Sequence, residues 1–218
     1  GKKNKLNVNA YILENSDEIY GINSRLNLAE ATKIMNQRKL HDLMVEGVTI
    51  VDPSSTWISE DTEIGADTIV YPSTYIEGKN KIGKNCKIGP CAHLRGSVEV
   101  EDNCKIGNFV EVKKAKIGHN TNAGHLSYIG DAELGSHINI GAGTITANYD
   151  PISKKKSKTI LKDNVKIGSN TVLVAPVEIG EGTNVGAGSV ITKNIGEWAL
   201  AITRAPLRII EGWVTKRR

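Results

Sequence analysis

The amino-acid sequence predicts an all-β fold, a parallel β-helix built from hexapeptide repeats and preceded by a short α-helical linker. Aliphatic residues recur at every sixth position through most of the chain after residue 48. Aromatic residues are scarce, with one phenylalanine in 218 residues, whereas glycine occurs 22 times. Helical periodicity is confined to the N-terminal segment. Together these observations favour an interior of stacked aliphatic side chains between many sharp turns.

The six-residue period is most regular in the first half of the predicted solenoid. Its members are Ile76, Ile82, Ile88, Leu94, Val100, Ile106 and Val112. A strand of about three residues points its central side chain inward, and three strands with their turns close one triangular coil. Residues eighteen apart, such as Ile76, Leu94 and Val112, are therefore predicted to stack on one inner face. Residues 50–195 make about eight coils of this kind.

Two interruptions of the repeat indicate where a site is to be expected. The aliphatic step shortens to five residues from Val112 to Ile117 and from Ile129 to Leu134, on either side of His125. The segment NYDPISKKKSKT, residues 148–159, breaks the series with a proline and four lysines. Insertions in a solenoid form external loops, which often border the binding face.

The segments outside the repeat predict a three-part organisation. Apolar residues at helical spacing predict a helix from about Asn27 to Glu46, with Asn27 as the candidate N-cap and Gly47 as the stop. The repeat ends after Ile195. The boundaries are therefore residues 1–47 for the helical linker, 48–196 for the β-helix and 197–218 for a C-terminal tail.

The composition excludes several classes of partner. The net charge of +4 is a mild bias, not the dense basic field of a nucleic-acid-binding protein. No run approaches the roughly 18 apolar residues of a membrane span, and the N-terminus lacks the order of a signal peptide. Three cysteines without a CxxC pair suggest neither a zinc knuckle nor a disulfide framework. A cytoplasmic protein without nucleic-acid or membrane partners is expected.

His125 is the candidate base. It lies two positions after the inward residue Ala123, so it is predicted to face outward near a corner, where a histidine is more often merely solvated. A neutral imidazole is the natural base near pH 7. Polar side chains within about two coils favour the catalytic interpretation: Glu111, Lys113, Lys114, Tyr128, Asn139 and Asn148.

Three other features were open to functional and structural interpretations. His93, His119 and His125 invite comparison with zinc sites, but the six-residue spacing of the last two places them on adjacent faces, where joint ligation is awkward. The loop lysines are either a solvated turn or point charges for phosphates. In NIGAGT, Gly141 and Gly143 serve as turn residues or expose N–H groups that polarise a carbonyl.

Six motifs carry a resemblance to a known family: GNFVEVKKAKIG, AGHLSYIGDAELG, NIGAGTITANYD, IGSNTVLVAPVEIGEG, VGAGSVITKNI and ALAITRAP. From about residue 20 to 213 the chain resembles the acetyltransferase half of the bifunctional bacterial N-acetylglucosamine 1-phosphate uridylyltransferase and glucosamine 1-phosphate acetyltransferase. The resemblance implies a left-handed β-helix and a homotrimer with active sites between subunits. It also implies acetyl transfer from acetyl-CoA to the amine of glucosamine 1-phosphate, on the route to UDP-N-acetylglucosamine.

The resemblance also implies roles for individual residues. His125 is expected to be the general base, with Glu111 placed to orient it. The expected acceptor-binding positions are Arg95, Lys113, Tyr128, Asn139 and Lys154. The expected acetyl-CoA positions are Ala142, Asn148, Tyr149, Ser169, Ala187 and Arg204. The lysine loop is about two residues longer than the common form, which leaves open which lysine takes the part given to Lys154.

The N-terminal segment GINSRLNLAEA resembles the end of the family's nucleotidyltransferase domain. Residues 1–47 are therefore expected to be a remnant of that domain, with Asn23 an orphan magnesium ligand. The chain is expected to be a truncated form that acetylates but does not transfer uridylyl groups. Two alternatives remain from the residues alone: a hexapeptide acyltransferase for another amine or hydroxyl, and a non-catalytic binding solenoid.

Overall fold

The structure is a computed structural model that describes residues 10–12 and 16–213. The chain forms a left-handed parallel β-helix of about eight turns with one long α-helix at its N-terminal end. This confirms the fold class that the repeat and the resemblance predict. No helix in the described ranges is long and apolar enough to cross a membrane.

The elements follow one another along the chain as short strands after the helices. A 3₁₀ helix, Ser16–Ile19, precedes the helix α1, Arg25–Val45. The strands are β1 (Thr49–Ile50), β2 (Trp57–Ile58), β3 (Glu63–Ile64), β4 (Ile69–Val70), β5 (Tyr75–Glu77), β6 (Asn80–Ile82), β7 (Lys87–Ile88), β8 (His93–Arg95), β9 (Val98–Val100), β10 (Lys105–Asn108), β11 (Glu111–Ile117), β12 (Asn122–His125), β13 (Tyr128–Leu134), β14 (Asn139–Ile140), β15 (Ile145–Ala147), β16 (Thr159–Leu161), β17 (Lys166–Ile167), β18 (Val172–Val174), β19 (Val177–Ile179), β20 (Asn184–Val185), β21 (Val190–Ile191) and β22 (Leu200–Ala201).

These strands stack in parallel into three faces. Face A consists of β1, β4, β7, β10, β12, β14, β17, β20 and β22. Face B consists of β2, β5, β8, the first halves of β11 and β13, β15, β18 and β21. Face C consists of β3, β6, β9, the second halves of β11 and β13, β16 and β19. The last strand, β22, extends face A within the range predicted as the tail.

The core is the set of aliphatic ladders that the six-residue period predicts. Ile76, Leu94 and Val112 are Cα partners in successive coils of face B, and all three are buried. Ala123 is likewise fully buried on face A. Burying each large aliphatic side chain contributes roughly 1.5 to 3 kcal/mol. The interior therefore needs no aromatic residue.

The coils around His125 are shorter than the others. Cα partners lie 18 residues apart between β7 and β10, but 17 apart between β10 and β12 and between β12 and β14. The two missing residues come from the corners inside β11 and β13. There the chain turns without leaving the strand, at Lys114 (φ 46°) and Asp131 (φ 48°). The five-residue steps in the sequence are these two corners.

The helix α1 begins earlier than the sequence predicts. Its N-cap is Ser24, not Asn27: Ser24 Oγ accepts the Asn27 backbone N–H at 3.1 Å. Asn27, at the third helical position, binds back to this cap: its Oδ1 accepts the Asn23 backbone N–H at 3.4 Å and the Ser24 hydroxyl at 2.9 Å. At the other end Leu40 and Leu43 are buried against the first coil, and Gly47, at φ 92°, turns the chain into β1.

The cysteines serve the packing of the coils. Cys86 and Cys104 are buried at equivalent places in adjacent coils, and their thiols point to main-chain carbonyl oxygens of the next coil, Glu101 and Gly118. Thr121 donates to Gly135 O in the same way one coil later. The two thiols therefore replace threonine hydroxyls in a structural ladder.

Candidate active site

His125 lies at the corner that joins face A to face B. It ends β12, where its Cα partner in the preceding coil is Asn108, and its side chain is exposed as predicted. The corner itself is Leu126, at φ 48°, a backbone conformation that bulky residues rarely adopt. Leu126 N–H donates to Asn108 O at 2.9 Å, and Leu126 O accepts Gly143 N–H at 3.1 Å. The coils on both sides therefore fix the backbone that carries the imidazole.

Three of the predicted acceptor-binding residues share the outer surface of face B. Arg95 and Lys113 are Cα partners in adjacent coils, and Tyr128 is the partner of Glu111 in the next coil. Tyr128 is only three residues from His125, across the corner. The structure thus brings the candidate base and this cluster to the same edge of the β-helix.

Glu111 contacts Arg95 and not His125. Its Oε1 accepts a hydrogen bond from Arg95 Nη1 at 2.9 Å, and Arg95 Nε lies 3.5 Å from Glu77 Oε1. The Glu111 carboxylate raises the pKa of Arg95. Within the part of the chain that the structure describes, no hydrogen bond joins Glu111 to the His125 ring. The expectation that Glu111 orients the base has no contact to support it, because the carboxylate is engaged by the guanidinium.

Tyr128 is positioned by small and polar neighbours. Its ring lies over Gly130, where a Cβ atom would overlap the phenol. Its hydroxyl accepts from Asn148 Nδ2 at 3.4 Å, and the same amide nitrogen donates to Asp131 Oδ2. Asn148, predicted on the acetyl-donor side, is buried beneath this network. It therefore joins the acceptor cluster to the start of the lysine loop.

The lysine loop is a hairpin that leaves the corner between faces B and C. Tyr149 forms an antiparallel bridge with Lys156, and Asp150 N–H donates to Lys155 O at 2.9 Å. Lys154 lies in the turn with an exposed side chain. Lys156, on the returning strand of the hairpin, lies beside the cluster, whereas the Lys154 side chain makes no ion pair there among the described residues.

Lys156 adds a third cation beside Arg95 and Lys113. Its Nζ lies 3.9 Å from Asp131 Oδ2. The proximity of Lys156, followed by that of Arg95, lowers the pKa of Lys113. Three positive side chains on one open face match a doubly charged anion such as a phosphate ester.

The predicted acetyl-donor residues form a column that continues from His125 along the axis. Ala123, Ile140, Ile167 and Val185 are partners in successive coils of face A. Two residues after each of them come, in order, His125, Ala142, Ser169 and Ala187. Arg204 Nη1 donates to Ala187 O at 2.8 Å at the end of this column. The donor positions therefore lie next to one another, as a linear ligand requires.

The remaining predicted residues lie apart from this arrangement. Asn139 is on face A, paired with Asn122 and Lys166, three residues before Ala142. Tyr149 is exposed on the hairpin. Asn23 precedes the cap of α1, far along the chain from the repeat.

The zinc alternative finds no support in the geometry. His93 faces Glu77 on face B, and His119 faces Glu101 at 3.0 Å. Among the described residues, no three His, Cys, Asp or Glu side chains are grouped so as to hold a metal ion.

Three residues that support the site were missed by sequence reasoning: Gly130, Asp131 and Thr146. Lys156 was among the loop lysines between which the sequence did not decide. Thr146 occupies an inward ladder position, and its Oγ1 accepts the Gly130 backbone N–H at 2.8 Å. A hydroxyl residue at a position of the aliphatic series was the available signal. Asp131 carried none, because corners are rich in charged residues.

The chain is similar in sequence to known bacterial hexapeptide transferases. A family model described as bacterial transferase hexapeptide (six repeats) matches residues 81–114 and 158–193. The bifunctional protein GlmU of Thermodesulfovibrio yellowstonii is 46% identical over 97% of this chain and 54% of its own length. GlmU of Pseudothermotoga lettingae is 44% identical over the same shares of the two chains.

The chain belongs to the GlmU family. It spans about half the length of the curated GlmU relatives it matches. That share is consistent with the C-terminal half of GlmU, to which the sequence motifs point. Among solved structures, a UDP-N-acetylglucosamine acyltransferase from Francisella novicida has a TM-score of 0.44 and 15% identity, over 66% of this chain and 62% of that one.

Proposed function

We propose that this chain transfers an acetyl group from acetyl-CoA to the amine of glucosamine 1-phosphate, giving N-acetylglucosamine 1-phosphate for UDP-N-acetylglucosamine synthesis. The similarity to GlmU proteins over nearly the whole chain supports this reaction. The observation that carries it is the position of His125, an exposed imidazole between the cationic cluster on face B and the donor column on face A.

In this mechanism His125 is the general base. The acceptor amine must lose a proton to attack a thioester, and the imidazole takes that proton as nitrogen bonds to the acetyl carbon. The carbon–sulfur bond then breaks, and the CoA thiolate leaves with the proton from the imidazolium. General-base catalysis of this kind contributes about 10²- to 10⁴-fold in rate.

The donor column supplies the place for the thioester. In the described residues the Ala142 N–H makes no hydrogen bond, whereas the flanking Gly141 and Gly143 N–H groups donate to Ile167 O and Leu126 O. A free amide next to the base is suited to stabilise the developing oxyanion, a contribution of about 3 kcal/mol. Ser169, Ala187 and Arg204 extend the same column for the coenzyme.

The cationic cluster supplies the place for the acceptor's phosphate. Arg95 offers a planar fork of hydrogen-bond donors. Lys113 in the next coil and Lys156 on the hairpin each add a positive charge beside it. Tyr128 lies between this cluster and His125. The amine, on the sugar carbon next to the one that carries the phosphate, is thereby directed toward the imidazole.

The assembly is proposed to be a cytoplasmic homotrimer. Donor and acceptor residues lie on different faces, so a neighbouring subunit is expected to complete each site, as the resemblance implies. We assign the reaction to residues 48–196, with Arg204 of the tail at the end of the donor column. Uridylyl transfer with magnesium at Asn23 stays a prediction for a longer protein, because Asn23 has no grouped ligands among the described residues.

An acetyl-transfer assay tests the proposal. CoA release from acetyl-CoA is measured with glucosamine 1-phosphate, glucosamine and serine as acceptors. We expect glucosamine 1-phosphate to be strongly preferred and His125→Ala to lose at least about 100-fold in kcat. His119→Ala, which changes an exposed histidine paired with Glu101, is the matched control. Preference for serine, or undiminished activity of His125→Ala, would contradict the proposed reaction. An active monomer detected by light scattering would contradict the proposal that neighbouring subunits share each site.

A further inference from the structure

Asp131 is a carboxylate in the candidate site to which neither the sequence motifs nor the proposed mechanism gives a role. It lies at the in-strand corner of β13, at φ 48°, and only 19% of its side chain is exposed. A carboxylate this covered normally has fixed partners. Its partners are the Asn148 amide and the Lys156 ammonium, one at the base of the hairpin and one on its returning strand.

The position of Lys156 needs an explanation because its neighbours repel it. Lys113 and Arg95 lie on the same face, and the pKa of Lys113 is lowered chiefly by Lys156. Three cations gather only where an anion offsets their repulsion. Asp131 is the carboxylate that faces Lys156, since Glu111 and Glu77 are engaged by Arg95 and Glu133 by Lys158.

We propose that Asp131 is a positioning residue that holds Lys156 over face B, so that Lys156, Lys113 and Arg95 converge on the phosphate of the acceptor. This inference rests on the proposed function only in taking the acceptor to carry a phosphate. Asp131 does not contact the reacting atoms: it acts through Lys156, and through Asn148 it ties the same hairpin to Tyr128. The hairpin is thereby set in place before the acceptor binds.

The variant Asp131→Asn isolates the charge. Asparagine accepts a positive φ readily, and its side-chain oxygen still accepts from the Asn148 amide. Glu133→Gln is the matched control, because it removes a carboxylate that faces Lys158 of the same hairpin, outside the cluster. We expect Asp131→Asn to raise the KM for glucosamine 1-phosphate about three- to tenfold with kcat nearly unchanged. The KM for acetyl-CoA and activity on glucosamine are expected to stay as in the wild type.

A double-mutant cycle separates positioning from a general structural role. In a Lys156→Met background, Asp131→Asn is expected to have little further effect on the KM, because the lysine it positions is gone. Independent, additive effects of the two substitutions would overturn the inference. So would an equal loss of kcat on both glucosamine 1-phosphate and glucosamine.

Phosphate binding distinguishes the failure of this inference from the failure of the proposed function. Titration calorimetry with inorganic phosphate is expected to show weaker binding to Asp131→Asn than to Glu133→Gln. If the wild type binds phosphate in this Asp131-dependent way but acetylates no acceptor, the proposed function fails and the inference stands. If the wild type acetylates glucosamine 1-phosphate and Asp131→Asn matches it in KM and phosphate affinity, the inference fails alone.

Discussion

Arg95 Nη1 lies 2.9 Å from Glu111 Oε1, so this carboxylate is engaged by the candidate acceptor-binding arginine. The sequence motifs led us to expect that Glu111 orients His125. The contact favours a role in holding Arg95 in place, and the two roles predict different kinetics.

Glu111→Gln decides between these roles. Glutamine replaces the charge-assisted hydrogen bond to Arg95 by a weaker neutral one, so Arg95 is held less firmly and the KM for glucosamine 1-phosphate is expected to rise about two- to fivefold. The pH dependence of kcat is expected to be unchanged. Glu99→Gln, on face C beside Lys116, is the control. A tenfold lower kcat with a shifted pH profile would instead place Glu111 behind the base.

The lowered pKa of Lys113 predicts a loss of acceptor binding at alkaline pH. In the proposed function the charged ammonium binds the phosphate, so kcat/KM is expected to fall as pH rises through the pKa of Lys113, earlier than for an ordinary lysine. Lys156→Met removes the main cause of the shift and is expected to move this fall to higher pH. Lys113→Arg, which stays charged, is expected to abolish it between about pH 7 and about pH 10. An identical alkaline limb in all three proteins would contradict this.

Gly130 is predicted to be required for the position of Tyr128. A methyl group at residue 130 overlaps the phenol, so Gly130→Ala is expected to displace Tyr128 and raise the KM for the acceptor about threefold or more. Gly196→Ala, whose added Cβ meets no atom within 4 Å, is the control. Equal KM values for the two variants would show that the ring position is unimportant.

Thr146 is predicted to stabilise the coil below Tyr128. Thr146→Val removes the acceptor of the buried Gly130 N–H and is expected to cost about 1 to 3 kcal/mol in the free energy of unfolding. Thr159→Val is the matched comparison: Thr159 is also a buried threonine on a neighbouring strand, but its Oγ1 has no hydrogen-bond partner. We expect it to be neutral or stabilising. Denaturant titration measures both, and equal destabilisation would contradict the role of the Thr146 hydroxyl.

Much of the fold followed from the sequence because the aliphatic period encodes it locally. Each inward residue, from Ile76 to Val112, needs only its own spacing to be placed. The cap of α1 was misplaced by three residues because Ser24 and Asn27 both suit a cap, and only the backbone decides which one accepts.

The sequence predicted only part of the candidate site, because the aliphatic period places some of its residues and not others. His125 and the donor column obey the period, whereas the partners of Glu111, Asp131 and Lys156 depend on side-chain directions across coils. The hairpin added a second difficulty, since the loop lysine that meets the cluster is set by where its turn closes. Such contacts carry no periodic signal in the sequence.

The stacking order of the strands also affects the order in which the coils unfold. In a linear array each coil touches only its neighbours, so opening starts at the two ends and advances inward. Leu40 and Leu43 close the first end, and the strand of His125 is the fifth of nine on face A. The imidazole therefore occupies the rung that fraying reaches last, whereas Ala187 and Arg204 lie at the end that opens first, so loss of order at the C-terminal end is expected to reach the donor column before it reaches the base.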